Sequence, residues 1–158
     1  MNITVLAVGK LKDRFFEEGC AEYEKRLMRY CAFAVREAAD EKAPEALSPA
    51  QEEQVKEKEG KRLLGMLDAK DHVIALTVTG KAYTSEGLAA RIGQLRDRGK
   101  NVSFLIGGSL GLSKEAVDRA DEELSLSKLT LPHRLARLVL LEQLYRSFKI
   151  LNHETYHK

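Results

Sequence analysis

The chain has 158 residues, with 26 Lys and Arg against 24 Asp and Glu and a formal net charge of +2. That length suits one domain spanning residues 1–158, able to bury roughly 70% of its unfolded surface without a disulfide or a metal. So small a charge excludes a protein that holds nucleic acid by bulk electrostatics alone, and no uncharged apolar run nears the roughly 20 residues of a membrane span.

The opening MNITVLAVGK has no basic segment ahead of its short apolar stretch, so it does not read as a secretory signal and a cytoplasmic location is expected. ITVLAV, ended by Gly9, suits a buried strand. Asp13 is placed to cap a helix running to about Arg29, and YCAFAVREA reads as the next strand. Cys20 and Cys31 lack the spacing of a zinc or redox motif and are expected to be free thiols. ADEKAPEALSPAQEEQ is a charged loop with two prolines, after which Ser48-Pro49 opens a helix from about Ala50 to Leu67.

HVIALTV is a strand closed by Gly80. Thr84 or Ser85 caps EGLAARIGQLRDRG, and Gly99 stops it. NVSFLI leads into a glycine loop, Ser113 caps KEAVDRA, and EELSLS is a short strand. A long helix from about Pro132 to Leu151 follows, with Thr130 as its candidate cap. Strands alternating with helices predict an α/β domain with a mostly parallel sheet flanked by helices. Ligands of such sheets bind at the carboxyl ends of strands. That rim should hold Leu76–Gly80, Ile106–Leu112 and Ser125–His133.

The run FLIGGSLGLS contains G-x-S-x-G, which opens three readings: a hydrolase nucleophile at Ser109, a bare backbone floor for a ligand, or a tight turn. A nucleophile elbow starts its helix almost at the serine. Here the best cap, Ser113, lies four residues on, which weighs against hydrolysis. Neither a dinucleotide fingerprint nor a triphosphate loop is present. Glycine does let backbone approach a ligand closely.

LSLSKLTLPHRLARLVLLEQLYRSFKI carries more. The free N–H groups of a helix start favour a carboxylate or oxyanion, and the same dipole disfavours charge on His133, which is expected neutral. From Lys128 onward bases outnumber acids, with Arg134 and Arg137 among them, a balance suited to phosphates or to a solvated helix face. The helix is apolar around most of its girth, as when it is buried on two sides. Either it is central within one chain or it packs on a second; the second reading predicts a homodimer.

The order ITVLAVGKLK, AEYEKRL, DEKAPE, EKEGKRLL, IGGSLGL, LSLSKLTLPHRLARLVLLEQLYRSFKI and terminal YHK resembles the ribosomal RNA large subunit methyltransferase H family across essentially the whole chain. This resemblance implies a SPOUT-type fold with a C-terminal trefoil knot. It also implies a homodimer whose site uses both chains, and transfer of a methyl group from S-adenosyl-L-methionine to N3 of a pseudouridine in 23S rRNA. Position by position it puts the cofactor against Leu76, Gly108, Ser127, Lys128, Leu129, Thr130, Leu131 and Pro132. His133, Tyr156 and His157 take catalytic roles, and Arg134, Arg137 and Lys158 contact the substrate. The partner would be 23S rRNA in the large subunit or the whole ribosome, with no metal and no membrane. A non-catalytic ribosome-binding dimer and a small serine hydrolase using Ser109 are the competing readings.

Overall fold

The computed structural model describes residues 1–42 and 44–156. Its elements run β1 (Asn2–Val8), α1 (Arg14–Leu27), β2 (Ala32–Ala38), α2 (Pro49–Leu64), β3 (His72–Ala82), α3 (Ser85–Asp97), β4 (Val102–Ile106), α4 (Lys114–Arg119), β5 (Glu122–Ser125) and α5 (His133–Leu151). All the strand pairings are parallel, in the order β2-β1-β4-β3-β5. This is the α/β architecture expected from the alternation of the two periodicities.

The continuous apolar strands follow from burial on both faces. Along β1, Ile3, Val5 and Ala7 enter the core shared with α1, α3 and α5, while Leu6 and Val8 enter the one under α2 and α4. Period-two alternation thus feeds two cores from one strand. Ser48 and Pro49 start α2 as expected: Ser48 Oγ accepts from the Gln51 N–H, and Gln51 Oε1 accepts from the Ser48 N–H. Thr84 caps α3, Ser113 caps α4, and Gly99 sits at φ +67° beyond α3.

Four expectations change. Asp13 precedes α1 without a side-chain cap; its carboxylate pairs with Arg134 instead. Thr130 does not cap α5, which begins at His133 with Pro132 at the cap position and no side-chain cap at all. Gly80 does not close β3, because the strand continues to Ala82 through a register shift in which Leu76 and Lys81 both pair with Leu124. A Cβ at Gly80 would stand 2.7 Å from the Glu123 carbonyl carbon, so only glycine admits β5 at that distance. The bulge lifts Thr77 and Val78 out of the ladder at the carboxyl end of the sheet.

The last change concerns α5. It lies on the sheet between α1 and α3, and Leu140, Leu141, Leu144 and Phe148 are buried within the single chain. None of its residues is fully exposed. Much of its apolarity is thus met by its own domain, and its apolar girth does not by itself call for a second chain.

Candidate functional site

Three loops at the carboxyl ends of β3, β4 and β5 enclose a cleft of about 700 Å³, within the range of small-molecule sites. The β3 bulge contributes Leu76, Thr77 and Val78. The glycine loop contributes 106–112. The segment from Leu124 to Pro132, with His133 and Ala136 of α5, closes the third side. The rim named from the sequence is thus one continuous wall. Of the residues assigned to a cofactor, Leu76, Gly108, Ser127, Leu129, Thr130, Leu131 and Pro132 line the cleft. Lys128 belongs to the same loop but is exposed and lies outside the lining.

The glycines of the loop serve its own packing. A Cβ on Gly107 would lie 2.4 Å from the Gly111 carbonyl carbon, and one on Gly108 would lie 2.9 Å from Glu59 Oε2 and 3.1 Å from Val8 Cγ1. Gly111 adopts φ +88°, which glycine accepts without strain. The Gly111 N–H donates to the Gly108 carbonyl at 3.1 Å, closing a turn over Ser109 and Leu110. Ser109 is exposed on that turn and has no hydrogen-bond partner among the described residues, and α4 starts only at Lys114. Among the described residues no base is hydrogen-bonded to this serine, so the geometry does not support the hydrolase reading.

His133 lines the cleft from the first turn of α5, half-buried and with no hydrogen-bond partner among the described residues. Burial pushes its imidazole below the ordinary 6.5, and the nearby Arg134 and Arg137 add to this while Asp40 opposes it. The ring thus favours its neutral form, as expected, with burial as the leading cause. Arg134 donates to Asp13 Oδ2 at 2.5 Å, leaving its Nε buried and unpaired.

Arg137 is a correction. It is 2% exposed, donating to Glu37 Oε1 at 2.6 Å and to the Gly9 carbonyl at 2.8 Å. A guanidinium so engaged ties β1, β2 and α5 together and does not reach out to a substrate.

Tyr156 lies elsewhere. Its hydroxyl donates to Glu142 Oε1 at 3.0 Å, its ring meets Tyr145 edge-on, and the Arg146 guanidinium sits 4.7 Å from the ring centre. Burial, with hydrogen bonds to Tyr23 and Glu142, pushes its phenol well above the ordinary range. Tyr145 is twelve residues past His133, or about 18 Å along the helix. One chain therefore does not bring Tyr156 to its own cleft. His157 and Lys158 lie outside the described residues.

The sequence reading passed over Val117, Leu124 and Ala136 as lining residues. Their apolar character is also what a core requires, so nothing local distinguishes the two. Among the described residues there is no cluster that could hold a metal and no helix long and apolar enough to cross a membrane.

Comparison with known proteins places this geometry in context. A family model described as "Predicted SPOUT methyltransferase" matches residues 1–157. The chain is 54% identical over 159 residues to a ribosomal RNA large subunit methyltransferase H of Shouchella clausii, and 52% to that of Listeria welshimeri, each covering 100% of both chains. A methylase-family structure from Haemophilus influenzae Rd KW20 shares the fold, with a TM-score of 0.55 and 11% identity over 99% of this chain and 70% of that one.

Proposed function

Because the chain belongs to the ribosomal RNA large subunit methyltransferase H family of SPOUT methyltransferases, we propose that it transfers the methyl group of S-adenosyl-L-methionine to N3 of a pseudouridine in 23S rRNA, on the large subunit or the assembled ribosome. The observation that carries this reading is the single cleft formed by three separate loops, on the residues that the family resemblance assigns to the cofactor.

The cleft fits that molecule in kind. Leu76, Leu129 and Leu131 offer apolar surface to an adenine, and Leu129 is left 74% exposed on the protein alone, as a wall awaiting a flat partner would be. Thr77, Ser127 and Thr130 supply the few polar groups such a pocket needs. When bound, S-adenosyl-L-methionine supplies a methyl group already activated for in-line displacement. What remains for the protein is to place the acceptor nitrogen and remove its proton. A neutral His133 in the cleft accepts the N3 proton, and Arg134, next to it on α5 but outside the lining and paired with Asp13, adds positive charge near the imide.

Tyr156, His157 and Lys158 act in this reading on the cleft of a second copy, which is how a tail remote from its own His133 takes part in the reaction. The trefoil knot and the homodimer belong to the same proposal. Calorimetric titration with S-adenosyl-L-methionine, followed by a methylation assay on ribosomes lacking the modification, tests it. Cofactor binding without methyl transfer would leave only a ribosome-binding dimer.

A further inference from the structure

The stretch EKEGKRLL of α2 lies outside the cleft, yet two of its residues bear on the glycine loop. A Cβ on Gly60 would stand 2.1 Å from Ser113 Oγ, the cap of α4, so α2 and α4 meet here at backbone distance. Beside it Glu59 is 4% exposed. Its Oε1 accepts from the Glu41 N–H at 3.1 Å, and its Oε2 is buried with no hydrogen-bond partner among the described residues. That orphan oxygen lies 2.9 Å from where a Cβ on Gly108 would be, and Gly108 lines the cleft.

Leaving a carboxyl oxygen buried and unpaired costs stability, and a Leu or Met would fill the same space without that cost. The cleft has the opposite shortage. None of its lining residues is acidic, although S-adenosyl-L-methionine carries a sulfonium and an ammonium. Resting on the cofactor reading above, we propose that Glu59 is a positioning residue of the cofactor site. Acting through the thin backbone at Gly108, its carboxylate gives a cationic adenosine cofactor the negative charge that the lining lacks.

The charges around Glu59 are Asp40 and Glu41 from the loop after β2, which disfavour its ionisation, and Arg62 on α2, which favours it. Burial outweighs all of them and pushes the carboxyl above its ordinary range. Asp40 also acts on His133, whose charged form it favours. A cation arriving over Gly108 favours the carboxylate, and a proton held by the acid form leaves to solvent.

The test is calorimetry on the wild type and Glu59→Gln with three probes: S-adenosyl-L-methionine, S-adenosylhomocysteine and 5′-methylthioadenosine. The substitution is isosteric and removes only the ionisable oxygen. Affinity for S-adenosyl-L-methionine should fall about tenfold, while that for the uncharged methylthioadenosine stays within about twofold. S-adenosylhomocysteine, which keeps the ammonium but lacks the sulfonium, tells which cation is read by following one or the other. An equal loss for all three probes, or no loss for any, overturns the proposal. Should Glu59→Gln not fold, titration of His133→Ala at about pH 5.5 in two buffers of different ionisation enthalpy replaces it. Proton release with S-adenosyl-L-methionine but not methylthioadenosine supports the proposal, and its absence overturns it. A wild type that binds none of the probes would instead overturn the cofactor assignment itself.

Discussion

His133 and Arg137 sit one helical turn apart on α5 and illustrate how environment divides labour between polar side chains. His133 faces the cleft, partly desolvated and unpaired, so that it is neutral and free to accept a proton. His133→Ala is expected to lower methyl transfer by a factor of about 10² to 10⁴, as removal of a general base does, while cofactor affinity measured by calorimetry stays within about twofold. The wild-type rate should fall as pH drops, with a midpoint below 6.5, because burial lowers the pH at which the ring charges. A midpoint above 6.5 would contradict the neutral-base role. Arg137, in contrast, is spent on Glu37 and the Gly9 carbonyl. Removing it strands the buried Gly9 carbonyl and leaves the partly exposed Glu37 carboxylate without its partner. Arg137→Ala should therefore cost about 2–3 kcal/mol in a denaturant titration. Proline and histidine at the start of a helix were legible signals of a site. Glu59 was not, since one buried acid in a run of seven acids between residues 40 and 59 reads as one more surface charge.

Among the elements, β3 and β5 decide whether the cleft exists. The β-branched run of β3 announces a strand, and Gly80 looks like its end. The ladder continues through Gly80 only because the neighbouring strand comes within reach of its absent Cβ, a tertiary fact with no local signature. The far end of β5 is pinned by Glu122, which accepts from both Arg91 and His72. At the bulge end the close approach of the strands is admitted by Gly80. Gly80→Ala should force β5 away and drag Leu124 and Leu126 out of the cleft wall. We expect a loss of about 2 kcal/mol or more in thermal or chemical unfolding, together with a clear loss of cofactor affinity. An alanine variant as stable and as well liganded as the wild type would show that the close approach is not required. The α-helices were easier to read, because Ser48, Thr84 and Ser113 carry their caps in the sequence. The caps expected of Asp13 for α1 and Thr130 for α5 are the ones that do not form.

For the whole molecule, the sequence pattern delivered the class of fold and the rim of the site but not the reason for the apolar girth of α5. Hydrophobicity counts the faces that must be covered without saying by what, and here α1, α3 and the sheet cover them. The case for two chains rests instead on distance: Tyr156 packs on Glu142, Tyr145 and Arg146, nine to thirteen residues along α5 from His133, so in the proposed reaction each copy supplies one of the two. Chains carrying His133→Ala and chains lacking residues 156–158 should each be inactive alone. Mixed and allowed to exchange, they should recover about a quarter of wild-type turnover, since half the dimers then hold one complete site of two. No recovery despite demonstrated exchange would remove the second chain from the mechanism.

The most direct measurement is to incubate the purified protein with ribosomes that lack the modification and S-adenosyl-L-methionine labelled in its methyl group, and then to map the label. The account predicts label on N3 of a pseudouridine in 23S rRNA, lost with His133→Ala. Label confined to another RNA or another atom, or no transfer from a cofactor that binds, would contradict it.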